Sequence, residues 1–303
     1  MTVSRITLTP NGPTLSRLVL GLWRLAEWRM DNAHILELVQ RCLEVGLTSF
    51  DHADIYGGYT CEKIFGDALA DQPHLRQKMQ LSTKCGIKLV HPNRPEHKLK
   101  SYDTGRTHII TSVENSLRAL RTDYVDILLI HRPDPLMDAD ETAEAFVQLK
   151  QSGKVLHFGV SNFLPAQFNL LASRLDFPLV TNQIEISVLH LDAFRDGTLE
   201  QCQQLHVPPM AWSPLGGGRL FRDNAPQAAR VREALKLASP HDSWLSADQM
   251  ALKWLLYHPA NIVPVLGTHN WERIYAATQA EALPLTREQW FSIYSASIGG
   301  EVP

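Results

Sequence analysis

Four side chains that can exchange or orient protons lie at the ends of apolar runs in the sequence. Asp51 and Tyr56 come after the apolar run at residues 47–50. Lys84 ends a second run, and His131 follows a third. A phenol has an ordinary pKa near 10, which is too high for ready proton exchange at neutral pH. A neighbouring ammonium lowers that pKa and makes the phenol a better proton donor.

Together these residue types suit the addition of a proton to a carbonyl oxygen. Lys84 supplies the positive charge beside Tyr56, and Asp51 keeps Lys84 ionised and oriented. His131 is suited to hydrogen-bond a substrate carbonyl and to orient it. None of the four side chains carries hydride, so carbonyl reduction requires a nicotinamide cofactor. The residues therefore predict a small-molecule carbonyl substrate and a nicotinamide cofactor.

The elements that position these residues follow a repeating pattern. Apolar strand-like runs alternate with helical patterns, which indicates parallel βαβ units, and eight such units suggest a closed barrel. The predicted strands are residues 15–22, 47–50, 79–84, 125–131, 155–160, 179–185, 210–213 and 262–265. A turn at Asn11-Gly12 predicts a short hairpin ahead of them. The predicted fold is a (β/α)8 TIM barrel preceded by a short N-terminal β-hairpin, with residues 1–303 in a single domain.

A doubly wound open sheet is the alternative fold, but no G-x-G-x-x-G follows any early strand. In a barrel, the C-terminal ends of all strands converge on one face. Packing has little use for many polar groups beside long apolar strands. These strand ends are therefore predicted to form a site. The further residues there are Ser161, Asn162, Gln183, Trp212, Ser213, Gly267 and Thr268.

The composition is typical of a soluble globular protein, with 44% hydrophobic and 20% charged residues. The net charge of -3 provides no general attraction to nucleic acid or to an anionic membrane, so neither is predicted as a partner. The N-terminus lacks a signal-peptide pattern, and no apolar run approaches about 20 residues. The four cysteines form no C-x-x-C pair, which argues against a disulfide framework or a thiolate metal site. A cytoplasmic monomer or weak homo-oligomer is predicted.

Seven motifs, present in the same order, resemble the aldo-keto reductase superfamily, most closely its bacterial YdhF-type oxidoreductase branch. The motifs are GLTSFDHADIYGG, STKCG, DYVDILLIHRPD, GKVLHFGVSNF, TNQIEIS, MAWSPLGGGRL and PVLGTHNWERI. The resemblance covers residues 18–280, almost the whole chain. It implies a (β/α)8 barrel that binds NADP(H) in an extended pose across the C-terminal face, without a Rossmann domain.

The resemblance also implies a role for each matching residue. The residues that match the catalytic tetrad are Asp51, Tyr56, Lys84 and His131, with Tyr56 as general acid and base. The residues that match the binders of the nicotinamide amide are Ser161, Asn162 and Gln183. Trp212 matches the aromatic residue that stacks on the nicotinamide.

Two further segments match the cofactor's phosphates. The residues along the pyrophosphate are Ser213, Leu215 and Gly217, where backbone N–H groups cradle phosphate. The residues at the adenosine 2'-phosphate, near a helix N-terminus, are Gly267, Thr268, His269 and Arg273. His269 stands where the family often has lysine or arginine, so NADP(H) is predicted while NAD(H) stays open. Trp23 is grouped with the cofactor-binding residues, and it either lines the substrate opening or plugs the barrel.

Two other functions stay open at this point. His52, Asp54, His131 and His157 are the residue types of a metal-dependent barrel hydrolase, although Lys84 and Tyr56 then have little role, and no metal is predicted. Some members of the resembling family are regulatory subunits that bind the cofactor with slow or absent turnover. The sequence does not identify the substrate.

Overall fold

The computed structural model describes residues 2–239 and 247–302, and a closed barrel of eight parallel strands lies at its centre. The strands in chain order are β1 (Arg5–Thr7), β2 (Thr14–Ser16), β3 (Val19–Gly21), β4 (Ser49–Asp51), β5 (Gln80–Cys85), β6 (Ile87–Lys88), β7 (Ser101–Tyr102), β8 (Val125–Ile130), β9 (Val155–Ser161), β10 (Leu179–Glu185), β11 (Met210–Trp212) and β12 (Val263–Leu266). The order around the barrel is β3-β4-β5-β8-β9-β10-β11-β12, and β12 pairs with β3 to close it. The predicted barrel and hairpin are confirmed.

Helices follow the strands and cover the outside of the barrel. They are α1 (Leu25–Trp28), α2 (Asn32–Glu44), α3 (Tyr56–Tyr59), α4 (Cys61–Ala68), α5 (Arg106–Leu120), α6 (Ala139–Gln151), α7 (Pro165–Ala172), α8 (Thr198–Leu205), α9 (Arg219–Arg222), α10 (Pro226–Ala238), α11 (Ala247–Leu256), α12 (Trp271–Thr278) and α13 (Arg287–Ile298). Capping residues set several of their ends. Asp31, for example, accepts a hydrogen bond from the His34 backbone N–H at the start of α2. None of the described helices is both long and apolar enough to cross a membrane.

The N-terminal hairpin closes the bottom of the barrel. Strands β1 and β2 pair antiparallel, and the side chains of Leu8 and Leu15 are buried. They join Val19, Ile127 and Leu129 in the apolar cluster inside the barrel. Apolar side chains thus fill this end of the barrel interior.

Three segments differ from the expectations drawn from the sequence. The run at residues 15–22 is divided between β2 and β3, because the Ser16 hydroxyl donates to the Leu18 carbonyl oxygen (2.6 Å) and bends the chain there. The segment after β5 contains the small antiparallel pair β6 and β7, which the sequence analysis did not predict. The strand predicted at residues 47–50 is displaced to Ser49–Asp51.

Helices α4 and α5 pack closely at Gly66. A Cβ atom added to Gly66 would lie 2.2 Å from the Ala119 carbonyl oxygen and 2.8 Å from the Leu120 carbonyl carbon. Both neighbours are backbone atoms, so a side chain at Gly66 would push the helices apart. This contact supports α4, which follows directly after Tyr56 and the Gly57-Gly58 turn.

We therefore expect Gly66→Ala to lower the free energy of unfolding by about 1–2 kcal/mol. Overpacking destabilises the fold by more than the better helix propensity of alanine stabilises it. Urea denaturation monitored by circular dichroism measures the change. Gly300→Ala is the control, because a Cβ atom at Gly300 meets nothing within 4 Å. Equal midpoints for the two variants would show that the helices adjust freely at this contact.

Candidate active site

Three neighbouring strands and one turn bring the four proton-active side chains together. Asp51 ends β4, Lys84 lies near the end of β5, and His131 follows β8. Tyr56 begins α3, and its ring meets the His131 ring edge-on with centroids 5.9 Å apart. Positive φ angles at Gly57 (58°) and Gly58 (63°) let the chain turn sharply after Tyr56, a conformation that glycine adopts without strain.

The Lys84 ammonium is fully enclosed and uses all three of its protons. Its Nζ donates to Asp51 Oδ2 (2.6 Å), to the His52 carbonyl oxygen (2.7 Å) and to Tyr56 Oη (3.1 Å). The exposed fractions of the Lys84 and Asp51 side chains are 0% and 3%. A buried charge of this kind is stable only when it is paired and hydrogen-bonded. The ammonium therefore holds the Asp51 carboxylate and the Tyr56 phenol in fixed positions.

The pKa directions correct one expectation from the sequence. Burial lowers the pKa of Lys84, but the Asp51 carboxylate and Tyr56 more than offset it, and the net pKa is raised. Burial raises the pKa of the Tyr56 phenol, whereas Lys84 lowers it. The net pKa of Tyr56 is raised, so the expected lowering was wrong in sign because desolvation outweighs the neighbouring ammonium. At neutral pH, Lys84 is charged and Tyr56 keeps its proton.

The second oxygen of Asp51 connects the four residues to the rest of the barrel. Asp51 Oδ1 accepts from Ser82 Oγ (2.7 Å) and from Gln183 Nε2 (3.0 Å). The sequence analysis missed Ser82, although it lies two residues before Lys84 and therefore on the same side of β5. Gln183 was expected at the nicotinamide amide, whereas its amide nitrogen here contacts Asp51. A single carboxylate thus joins β4, β5 and β10.

His131 is an uncharged, partly unpartnered imidazole. Burial, together with the positive charges of Lys84 and Arg132, lowers the pKa of His131 well below its usual range. Its Nδ1 is buried and has no hydrogen-bond partner among the described residues. A neutral imidazole can donate or accept one hydrogen bond at each nitrogen. His131 therefore has hydrogen-bonding capacity that this part of the structure does not use.

A hydrogen-bonded chain links His131 to the opposite side of the site. Asn162 Nδ2 donates to the His131 carbonyl oxygen (3.3 Å) and to Ser161 Oγ (2.8 Å). Asn162 Oδ1 accepts from Trp212 Nε1 (3.0 Å), and Ser161 Oγ donates to the Gln183 carbonyl oxygen (2.7 Å). The structure thus brings Ser161, Asn162, Gln183 and Trp212 into one network.

Left-handed backbone conformations occur at two strand ends of this network. Asn162 has a φ of 61° and Ser213 a φ of 51°. Such conformations are uncommon for residues other than glycine and cluster at functional sites. After Ser213, the chain passes Leu215 and forms a tight turn at Gly216–Gly218, where Gly217 has a φ of 64°. The Gly217 carbonyl oxygen accepts a hydrogen bond from Arg222 Nη2 (2.9 Å).

The segment after β12 leads into α12. A Cβ atom at Gly267 would meet nothing within 4 Å, so the backbone there is open. Thr268 Oγ1 accepts from the Asn270 backbone N–H (3.2 Å), and Asn270 Oδ1 accepts from the Arg273 backbone N–H (3.0 Å). The Arg273 side chain is exposed in the first turn of α12. The ring of His269 lies 5.0 Å from that of Trp28, a neighbour that the sequence analysis did not identify.

Trp23 lies at the mouth of the barrel and is 53% exposed, so it is not a plug of the interior. Its carbonyl oxygen accepts from Cys61 Sγ (3.7 Å), which ties the segment after β3 to α4. The ring is covered by the Arg24 guanidinium, 4.9 Å from the ring centroid. The predicted position of Trp23 at the substrate opening stays a prediction.

The residues of the metal-site alternative do not converge. His52 is fully buried, its ring meets Phe65 edge-on at 4.7 Å, and neither ring nitrogen has a partner among the described residues. Burial, and then the charge of Lys84, lowers the pKa of His52 to about 3. No group of three or more His, Cys, Asp or Glu residues within 2–239 and 247–302 is arranged to hold a metal ion. At the His-x-Asp strand end, His52 is therefore a packing residue rather than a metal ligand.

Two buried carboxyls lie behind the Tyr56 turn. Burial raises the pKa of Glu62 to about 7, and burial and the Glu62 charge raise that of Asp54 well above its usual range. Thr83 Oγ1 donates to Glu62 Oε1 (2.5 Å). Asp54 Oδ1 is buried without a partner in the described part of the chain. The Glu62 carboxyl thus lies beside the residue that precedes Lys84, on the outer face of β5.

Comparisons with known proteins agree with this architecture. The model of the aldo/keto reductase family matches residues 17–298. Oxidoreductase YdhF of Escherichia coli is 52% identical over 99% of this chain and 100% of its own. A 6-dehydroglucose reductase of Agrobacterium fabrum is 47% identical over 95% of this chain and 96% of its own. A solved aldo/keto reductase from Klebsiella pneumoniae, in complex with NADP and acetate, has a TM-score of 0.75 at 24% identity, covering 95% and 94% of the two chains.

Fold and sequence together define a barrel oxidoreductase. The chain belongs to the aldo/keto reductase family. The resemblance to the YdhF-type branch is confirmed by the 52% identity with the Escherichia coli protein.

The buried ion pair generates a first prediction for this site. Lys84→Met should lower the free energy of unfolding by roughly 3–5 kcal/mol, because it leaves the Asp51 carboxylate buried without its counter-charge. Adding Asp51→Asn should recover part of that loss, since no charge then remains to be compensated. Urea denaturation of both single variants and the double variant gives the coupling energy. Additive losses would contradict a direct energetic coupling between the two side chains.

Glu62 generates a second prediction. Between its ordinary pKa of 4.5 and its raised value of about 7, the folded protein holds a proton that the unfolded chain releases. Stability from this group therefore falls as pH rises through that interval, by roughly 2–4 kcal/mol. Glu62→Gln should match the wild type near pH 5 and be more stable at pH 8. Denaturation midpoints at both pH values test this.

The control for that experiment is Glu233→Gln, which removes one exposed carboxylate from α10. It should shift the midpoints equally at the two pH values. A Glu62→Gln variant with the same pH profile as this control would contradict a buried, protonated Glu62.

Proposed function

We propose that the protein reduces the carbonyl group of a small aldehyde or ketone to an alcohol, with NADP(H) as the hydride donor and Tyr56 as the general acid. One observation carries the proposal. Tyr56 Oη accepts a hydrogen bond from the Lys84 ammonium, and its own proton is donated to no acceptor among the described residues. The phenol is therefore a proton donor that the Lys84 ammonium holds in place, with its proton available to a bound substrate.

The surrounding residues support the proton transfer. When the proton leaves Tyr56, the phenolate forms beside the charged Lys84, which stabilises it. Asp51 holds Lys84 in place through the 2.6 Å ion pair. The neutral His131, whose ring lies edge-on to Tyr56, supplies a hydrogen bond that orients a carbonyl oxygen toward the phenol. The chain thus supplies the proton and its orientation.

The described residues fit a nicotinamide cofactor. The Trp212 indole is fixed by Asn162 and presents a ring for stacking, next to the Asn162 and Ser161 side chains. The open backbone at Gly267 and the left-handed glycine turn at Gly217 offer places where phosphates can approach the backbone. A bound nicotinamide supplies the hydride that no side chain of this site carries. Arg273 favours NADP(H) over NAD(H), as a permanent cation near the start of α12.

The relatives support the reaction class. The relative from Agrobacterium fabrum is named 6-dehydroglucose reductase, which is a reductase of a carbonyl compound. The proposed substrate class for the present chain is a small molecule that bears an aldehyde or a ketone.

Tyr56→Phe tests the proposal. The variant removes the phenol proton and almost no volume, so carbonyl reduction should fall by about 100-fold or more while NADPH affinity is retained. Steady-state NADPH oxidation across an aldehyde and ketone panel, with fluorescence titration of NADPH, measures the two quantities separately. Tyr257→Phe, at an exposed tyrosine outside the site, is the matched control.

The same experiment addresses the other functions. Tight NADPH binding without oxidation by any carbonyl in the panel would favour a regulatory protein over a reductase. Undiminished reduction by Tyr56→Phe would remove Tyr56 from its role. NADPH inert toward the wild type, together with activity abolished by a chelator, would favour the metal-dependent alternative.

A further inference from the structure

A hydrogen bond on the outside of the barrel joins the two segments that carry Tyr56 and Lys84. Thr83 Oγ1, on the outer face of β5, donates to Glu62 Oε1 (2.5 Å) in the first turn of α4. Thr83 directly precedes Lys84, and α4 follows the turn that begins at Tyr56. On the inner side, the same two segments meet where Lys84 Nζ donates to Tyr56 Oη (3.1 Å). The Glu62–Thr83 bond therefore lies behind the contact that holds the proposed proton donor.

The Glu62–Thr83 bond is shielded from solvent. The exposed fractions of Glu62 and Thr83 are 6% and 1%. The side chain of Ser116, on α5, is a second hydrogen-bonding partner of the Glu62 carboxyl. A buried donor or acceptor that loses its partner is destabilising, because no water replaces the lost bond. The start of α4 is therefore fixed relative to both β5 and α5.

The turn between Tyr56 and α4 is short and closed on itself. Gly57 and Gly58 have positive φ angles, and Thr60 Oγ1 donates to the Gly57 carbonyl oxygen (2.7 Å). Helix α4 begins at the next residue. Because so few residues separate the phenol from α4, the position of Tyr56 depends on where α4 lies against β5.

The Glu62 carboxyl also interacts with the charges of the site. The ionisable groups that interact with it include Asp54 after β4, Cys61 on α4, Lys84 and Cys85 on β5, and Arg94 between β6 and β7. Burial raises the pKa of both thiols, so they stay uncharged at neutral pH. Lys84 favours the ionised form of Glu62, but burial outweighs it and raises the pKa of Glu62 to about 7. The carboxyl therefore gains or loses its charge near neutral pH.

We propose that Glu62 is a positioning residue, which together with Thr83 fixes the start of α4 on β5 and so sets the Tyr56 phenol against the Lys84 ammonium. This inference rests on the proposed carbonyl reduction and adds a residue to it. Glu62 acts through Thr83 and the Tyr56 turn, and the proton still comes from Tyr56. Ionised Glu62 adds a negative charge that disfavours a second anion, the Tyr56 phenolate, beside Lys84. Proton donation is therefore strongest while Glu62 is neutral.

The first test removes the bond from its other end. Thr83→Val loses the hydroxyl but little volume, so kcat should fall roughly 10-fold through misplacement of Tyr56, while KM and NADPH affinity stay near the wild-type values. Thr83→Ser keeps a hydroxyl and should retain most of the wild-type kcat. Thr142→Val is the matched control, because the buried Thr142 hydroxyl donates to the Thr104 and Asp138 carbonyl oxygens (2.9 Å each) but lies on α6. Equal kcat values for Thr83→Val and Thr142→Val would overturn the proposal.

The second test changes the charge and leaves the bond in place. The amide oxygen of Glu62→Gln can still accept from Thr83, so this variant should match the wild-type kcat near pH 6. Wild-type kcat should fall several-fold towards pH 8, as Glu62 ionises through its pKa of about 7. Glu62→Gln should lack that fall, and Glu233→Gln should keep it. The same pH profile in the wild type and in Glu62→Gln would contradict the proposed influence of Glu62 on Tyr56.

Carbon-13 NMR of protein labelled at the tyrosine Cζ atoms separates this inference from the proposed reaction, because it requires no turnover. The Tyr56 signal is assigned by its loss in Tyr56→Phe. It should shift between pH 6 and pH 8 in the wild type and in Glu233→Gln, but not in Glu62→Gln. At constant pH it should be displaced in Thr83→Val and not in Thr142→Val.

Wild type that reduces no carbonyl of the panel would count against the proposed reaction. A Tyr56 signal that responds to Glu62 and Thr83 as expected would still support the positioning role. A Tyr56 signal with the same pH dependence in the wild type and in Glu62→Gln, and unchanged in Thr83→Val, would overturn that role.

Discussion

The buried Lys84 ammonium is the interaction on which the site depends. It has three protons and finds its three acceptors in Asp51, in the His52 backbone and in Tyr56. No water reaches it, so each acceptor must come from the protein. That requirement fixes the end of β4 relative to β5 and holds the turn before α3 against both. The geometry of proton donation therefore follows from the cost of burying one charge.

Asp51 extends this constraint across the barrel. One of its oxygens neutralises Lys84, and the other binds Ser82 and Gln183. Gln183 belongs to β10, four positions from β4 in the strand order, so a contact through the barrel interior joins the two halves. The Ser161 hydroxyl binds the carbonyl oxygen of Gln183 and accepts from Asn162. Hydrogen bonds thus connect Asn162, through Ser161 and Gln183, to the carboxylate beside Lys84.

Much of this arrangement is readable from the sequence, because it depends on local patterns. Long apolar runs with polar ends indicate buried parallel strands, and their convergence predicts that Asp51, Lys84 and His131 lie together. The cap at Asp31 and the glycine turn after Tyr56 are equally local signals. The resemblance to the family adds roles for Tyr56 and for the strand-end residues of the other half. Their proximity in the structure agrees with it, and their roles stay proposals.

The features that the sequence did not predict depend on the tertiary environment. The raised pKa of Tyr56 results from desolvation, whose size is set by atoms distant in the chain. The contact of Gln183 with Asp51 joins residues 132 positions apart. Residues 15–22 have the composition of one extended run, whereas the structure divides them between β2 and β3 at the Ser16–Leu18 hydrogen bond. A pattern of polar and apolar residues predicts which face is buried, but not how far burial shifts the pKa of a particular group.

The division of the barrel mouth has an evolutionary consequence. The loops after β3, β5 and β8 surround Lys84 and Tyr56, whereas the segments after β9 to β12 carry the groups proposed to bind a nicotinamide nucleotide. Trp28 after β3 contacts His269, and the His131 carbonyl oxygen after β8 accepts from Asn162, so the loop after β5 can change with less effect on the second set. Homologues that share this scaffold can therefore differ in the metabolites they accept while using one source of reducing equivalents. Loop grafting between homologues is a direct route to new selectivity.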